Sequence, residues 1–184
     1  TALGAPRVEV FGNIKFDIAP PVDAAATASI FRSRIGARKV FLAASTREGE
    51  EALLLDAWQE KLGRSETVNG ALLVIVPRHP QRFDAVAALV ASRGLRLQRR
   101  SDEAAVGADT QVWLGDSMGE MFAYYAAADV AFVGGSLLPY GSQNLIESCA
   151  VGTPVLLGPS TYNFAEAARG AIARGAGRQC GTTE

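Results

Sequence analysis

Four short stretches hold the side chains best suited to handling an anion or a sugar. "FVGGSLLPYGSQNLIE" (residues 132–147) carries Gly134, Gly135 and Ser136, then Gln143, Asn144 and Glu147. Glycine tolerates positive φ and lets backbone N–H groups approach a ligand, so such a loop can cradle phosphate. Glu147 lies three residues beyond Asn144, so on a helix both face one side and the carboxylate can accept from two neighbouring sugar hydroxyls. The bland alternative is that Glu147 offsets the helix dipole. "VPRHPQRF" (76–83) places Arg78 and the sole histidine, His79, between Pro77 and Pro80. An arginine there can fork onto phosphate, whereas a lone histidine beside proline is more often a surface or capping residue.

"AASTREGEE" (43–51) offers the hydroxyls of Ser45 and Thr46, and Ser45 with Glu48 has the spacing of a capping box. Capping alone is a sufficient explanation for those residues. In "LGDSMGEM" (114–121), Asp116 or Ser117 suits a helix N-cap, and Met118 and Met121 have helical spacing that suits a core. Ligand contact in that stretch is then left to the backbone of Ser117, Met118 and Gly119.

These stretches need a scaffold that brings them together. Short apolar runs alternate with amphipathic ones. The pattern predicts strands at 8–11, 40–44, 72–76, 95–98, 112–114, 130–133 and 154–157, and helices at 23–35, 82–92, 118–127, 144–150 and 164–174. Leu54, Leu55, Trp58 and Leu62 give a further helical stripe, and the polar run 99–109 reads as an exposed loop. Continuously apolar strands between amphipathic helices indicate a doubly wound α/β fold, a parallel sheet covered on both faces. All loops that follow strands then lie along one sheet edge, where helix N-termini favour anions.

The 184 residues suit one domain. With 48% hydrophobic and 20% charged residues and a net charge of −1, the chain is globular and has no basic face for nucleic acid. Two cysteines, Cys149 and Cys180, make neither a disulfide framework nor a zinc site, and no metal ligand set is evident. The longest apolar run, 71–76, is far too short to span a membrane, and no signal peptide is recognisable. The opening "TALGAP" and the closing "RQCGTTE" read as the ends of a piece cut from a longer protein.

Taken in order, "GNIKFD" (12–17), "AASTREGEE", "VPRHPQRF", "GDSMGEM", "ADVAFVGGSL" (128–137), "NLIE" (144–147) and "GTPVLLGPSTYNF" (152–164) resemble the 3-deoxy-D-manno-octulosonic acid (Kdo) transferases, which add Kdo to a lipid A precursor in lipopolysaccharide assembly. The resemblance implies a GT-B glycosyltransferase, with this chain as its C-terminal, Rossmann-like, donor-binding half and the N-terminal acceptor half absent. It implies CMP-Kdo as donor substrate with no cofactor or metal, a lipid A precursor as acceptor through the other half, inversion at the anomeric carbon, and a general base supplied by that half, so no catalytic residue is expected in this chain. The fragment is expected to be inactive alone and soluble, the full protein to work at the cytoplasmic face of the inner membrane. The expected donor-binding set is Ser45, Thr46, Arg78, His79, Ser117, Met118, Gly119, Gly134, Gly135, Ser136, Gln143, Asn144 and Glu147. Arg47 and Gln143 stand where the family commonly has histidine, so no titrating role carries over to either position. A UDP-sugar transferase or epimerase of the same fold, and a non-catalytic phosphate-binding module, are the alternatives.

Overall fold

The computed structural model describes residues 4–9, 16–62 and 64–181. The order of elements is α1 (Ala24–Ile35), β1 (Val40–Thr46), α2 (Glu50–Lys61), α3 (Glu66–Asn69), β2 (Leu72–Pro77), α4 (Phe83–Ser92), β3 (Leu97–Arg99), β4 (Val112–Leu114), α5 (Met121–Ala127), β5 (Val130–Val133), α6 (Ile146–Ala150), β6 (Val155–Leu157), α7 (Ala165–Ala173) and β7 (Gly177–Gln179). The strands form one sheet in the order β3-β4-β2-β1-β5-β6-β7. Every pairing in it is parallel.

The expected doubly wound plan follows from side-chain alternation in central strands such as β2, which is apolar at every position. Leu72, Val74 and Val76 of β2 point into the layer under α1 and α5, where Phe31, Trp113 and Tyr125 are buried. Leu73 and Ile75 point the opposite way and pack with Leu55, Trp58, Val86 and Val90 of α2 and α4. Phe31 meets Trp113 edge to face at 5.2 Å, a favoured aromatic geometry. A third cluster under α7 buries Val133, Leu145, Val155 and Leu157.

Helix starts depart from the expected caps. Ser45 and Glu48 form no capping box: Ser45 is left-handed, at φ 53°, where the register of β1 against β2 shifts, and α2 begins only after Gly49. Neither Asp116 nor Ser117 caps α5, which starts at Met121; Asp116 instead accepts from the N–H and hydroxyl of Ser101, at 2.9 and 2.6 Å. Helix α6 begins at Ile146 because the Asn144 side-chain oxygen accepts from the Ile146 N–H at 3.0 Å. Of the expected strand 8–11, Val8 and Glu9 are described and are not in a strand, and the remainder lies outside the described residues, as do positions 12–15 of "GNIKFD". The run 99–109 is less exposed than its polarity suggests, since Val106 is buried. The short α3 and β7 have no sequence signal: α3 is one turn long, and β7 reads Gly-Arg-Gln.

Candidate functional site

Strand order reverses at β1, which has β2 on one side and β5 on the other. Open α/β sheets place their ligand crevice outside the strand ends at such a point. A cavity of about 330 Å³ opens there. Its walls come from the end of β1 (Ser45), the end of β2 and the residue after it (Val76, Pro77, Arg78), the loop after β4 and the start of α5 (Ser117, Met118, Gly119, Glu120, Met121, Tyr124), the loop after β5 and the start of α6 (Gln143, Asn144, Glu147), and Phe164 before α7.

Eight of the thirteen residues expected at the site line this cavity: Ser45, Arg78, Ser117, Met118, Gly119, Gln143, Asn144 and Glu147. Arg78 is exposed, and its Nε donates to the side-chain oxygen of Gln143 at 3.2 Å, leaving its terminal nitrogens for a ligand. Asn144 is fixed twice. Its oxygen caps Ile146, and its Nδ2 donates to Glu147 Oε1 at 3.0 Å. Glu147 Oε2 has no hydrogen-bond partner among the described residues. Burial raises the Glu147 pKa, while the Asn144 hydrogen bond and the nearby Arg78 charge act in the opposite sense. Met118, expected in the core, is 59% exposed at the cavity mouth, because the helix that would have turned it inward starts three residues later; Met121 does pack against the core.

The other five lie off the cavity wall. Thr46 is fully buried and donates its hydroxyl to Glu51 Oε1 at 2.9 Å. His79 is exposed, beyond the rim. Gly134 donates its N–H to Ala44 O at 2.7 Å. The N–H of Gly135 goes to Glu50 Oε2 at 2.6 Å, and that of Leu137 to Glu50 Oε1 at 3.0 Å. The Ser136 hydroxyl accepts from the Gly158 N–H at 2.8 Å and donates to Val133 O. What this glycine loop encloses is therefore a carboxylate of the chain itself. Arg47, the other departure, lays its guanidinium over the Tyr140 ring at 4.8 Å, outside the cavity lining.

Three further wall residues were not among those expected at the site. Tyr124 is 2% exposed, yet its hydroxyl reaches the cavity and pairs with Ser117 Oγ at 2.8 Å. Burial pushes the Tyr124 phenol further up, so it is a neutral hydrogen-bonding group at neutral pH. Glu120 Oε1 accepts from Arg100 at 2.9 Å, a pair bridging the 99–109 loop to the cavity floor. Phe164 closes the far side. The Tyr124 ring lies in the core, and its polar tip is invisible to a pattern of apolar spacing. Among the described residues no group of histidine, cysteine and carboxylate side chains is placed to hold a metal ion, and no helix is long and apolar enough to cross a membrane.

No protein-family model matches the chain. Curated proteins do. The chain is 47% identical over 174 residues to a 3-deoxy-D-manno-octulosonic acid transferase of Bordetella pertussis, covering 94% of this chain and 40% of that protein. It is 38% identical over 167 residues to the enzyme of the same name from Haemophilus influenzae, covering 89% of this chain and 38% of that protein. The chain thus spans about 40% of the length of these relatives. Among solved structures, the C-terminal CMP-Kdo binding domain of WaaA from Acinetobacter baumannii superposes with a TM-score of 0.79 at 33% identity, over 87% of this chain and 82% of that one.

Proposed function

The chain belongs to the Kdo transferase family, as its likeness to a C-terminal domain of that family over most of both chains establishes, and from that premise we propose that it binds the CMP-Kdo donor as the Rossmann-like half of a GT-B glycosyltransferase. The observation that carries this reading is the cavity at the β1/β5 crevice, with Arg78 at one wall and the Asn144–Glu147 pair at another. Arginine offers a rigid fork of donors to a phosphate, and a carboxylate with one free oxygen suits a ribose diol. A nucleoside monophosphate fits about 330 Å³, near the lower end of small-molecule sites.

In the reaction, a hydroxyl of a lipid A precursor attacks the anomeric carbon of Kdo with inversion, the bond from that carbon to the phosphate oxygen breaks, and CMP leaves with the electron pair. Negative charge grows on the departing phosphate, and Arg78, held by Gln143, is placed to meet it without a metal ion. That contact raises the rate only as far as it is stronger to the leaving phosphate than to the bound donor. The acceptor surface and the general base that takes the hydroxyl proton reside in the part of the relatives this chain does not span, so the chain alone binds CMP and transfers no sugar. The longer protein acts at the cytoplasmic face of the inner membrane, where its lipid acceptor is available.

Calorimetric titration of the chain with CMP, UMP and UDP tests the donor assignment. CMP is expected to bind most tightly. Equal or tighter binding of UMP or UDP would transfer the site to a UDP-sugar enzyme of the same architecture, and Kdo transfer by the chain alone would refute the division of labour.

A further inference from the structure

Two loops along the cavity edge are tied together by one side chain. Glu50 is fully buried at the start of α2. Its Oε2 accepts from the N–H of Arg47 at 2.9 Å and of Gly135 at 2.6 Å, and its Oε1 accepts from the N–H of Leu137 at 3.0 Å. The first bond holds the loop after β1, two residues beyond Ser45. The other two hold the glycine loop after β5. Passing on from that loop, the carbonyls of Gly134 and Gly135 accept from the N–H groups of Gln143 at 2.8 Å and Ser142 at 2.6 Å. The Gln143 side chain in turn accepts from Arg78 Nε at 3.2 Å. A continuous series of hydrogen bonds therefore runs from Glu50 to the cation at the cavity wall.

A buried carboxylate is costly unless its oxygens are satisfied, and backbone N–H groups in a turn form a concavity that takes an anion. Each meets the other's need here. The loop conformation, with Gly135 at φ 69° and Ser142 at φ 73°, is one that side-chain-bearing residues seldom adopt and that surrounding contacts must enforce.

We propose that Glu50 is a positioning residue of the donor site: it occupies the anion concavity of the glycine loop permanently, leaving the donor phosphate to Arg78, and through Gly134, Gly135 and Gln143 it sets where Arg78 stands. This rests on the reading of the cavity as the CMP site. Glu51, its neighbour in sequence and also fully buried, faces a different set of partners: it accepts from Thr46 Oγ1 and pairs with Arg82 at 3.0 Å, so it braces the loop after β2 without touching the glycine loop.

The test compares Glu50→Gln with Leu55→Val, a core change on the same helix that lowers the melting temperature without reaching the loops. The amide of Gln keeps one acceptor and presents an NH₂ group to a backbone donor, so Glu50→Gln is expected to weaken CMP binding by at least about tenfold, the size of one hydrogen bond to a charged group. Leu55→Val is expected to leave CMP affinity within about twofold of wild type even at an equal loss of melting temperature, as for independent sites. A folded Glu50→Gln protein that binds CMP as wild type does overturns the proposal. Amide resonances of the unmodified chain decide the matter even if Glu50→Gln does not fold. Gly135 and Leu137 should be protected from exchange without nucleotide and should move less on CMP addition than Ser45, Gln143 and Asn144. Free exchange at Gly135 and Leu137, or the largest CMP shifts falling there, overturns it. Failure of wild type to bind CMP refutes the donor reading, while the protection of those two amides still reports on the clamp.

Discussion

Glu147→Gln is the most discriminating change in the candidate site because the structure separates the two oxygens it alters. Oε1 is held by Asn144 Nδ2, and the Gln amide oxygen can keep that bond. Only the second acceptor, the one free to meet a ribose hydroxyl, becomes a donor. A hydrogen bond to a charged group contributes about 1.5 to 3 kcal/mol, so CMP affinity should fall roughly 10- to 150-fold at about 1.4 kcal/mol per decade. The fold should not suffer. With the folded-state pKa raised by burial, wild type binds more protons folded than unfolded between the ordinary carboxylate value and the raised one. Stability from this group is therefore present at low pH and lost as pH rises through that window, and neutral Gln escapes the loss. Above the window the variant should melt no lower than wild type. Titration calorimetry with CMP and 2′-deoxy-CMP reads the effect: wild type should prefer CMP, and the variant should bind the two alike. The wild-type advantage for CMP should also shrink as pH falls through the raised Glu147 pKa, with the phosphate's own titration cancelling in the ratio of the two proteins. If wild type binds both nucleotides equally, or the variant binds CMP as wild type does, Glu147 does not hold the ribose.

Arg78→Ala should weaken CMP and lower turnover of the longer enzyme while leaving the melting temperature unchanged, since the residue is exposed; wild-type values for both would assign the phosphate to other groups. Asp129 accepts from Arg32, Lys39 and the Val40 N–H, and although burial alone would raise its pKa, these partners bring it down to about 2. The lowering is equivalent to about 2.4 kcal/mol at most, and partial exposure to water makes about 1 to 2 kcal/mol the expected loss for Asp129→Asn in denaturant melts near neutral pH. Because a depressed carboxylate stabilises the fold above its unfolded pKa, the gap should close as pH falls from about 4 toward 2, and a gap independent of pH would show that charge is not involved. Gly134→Ala should destabilise by about 1 to 3 kcal/mol or more, because its Cβ would sit 2.6 Å from the Thr46 Cα where the ends of β1 and β5 touch; a melting temperature equal to wild type would contradict that close approach.

The parallel sheet was legible because apolar runs such as Leu72–Pro77, buried on both faces, look the same whichever neighbours they acquire. Helix ends were not, and the reason is local. Ser45 and Glu48 have the spacing of a cap, but Ser45 is left-handed where the strand register shifts, and the neighbouring Glu50 carboxylate is tied to Gly135, 85 residues on. Pattern reading found the residues of Arg78, Asn144 and Glu147 because their elements end at the crevice by topology. It missed Tyr124 and Glu120, whose ring or pairing to Arg100 makes them look structural while one polar edge faces the cavity.

The glycine loop is where sequence and structure part most instructively. Gly134, Gly135 and Ser136 have the composition of a phosphate cradle, and composition reports only that backbone N–H groups are free to converge. It does not report what they converge on. The distance in sequence from Glu50 to Gly135 hides the carboxylate that fills the loop, and a Glu-Glu pair at a helix start reads as ordinary dipole compensation. Once Glu50 is in place, the loop's contribution to the cavity is made at one remove, through the carbonyls that fix Ser142 and Gln143. On the donor reading proposed above, a phosphate entering the crevice would meet side chains and the Arg78 fork rather than the glycine amides, so the affinity of this site should respond to charge at Arg78 more than to substitutions that reshape the Gly135 turn without releasing Glu50.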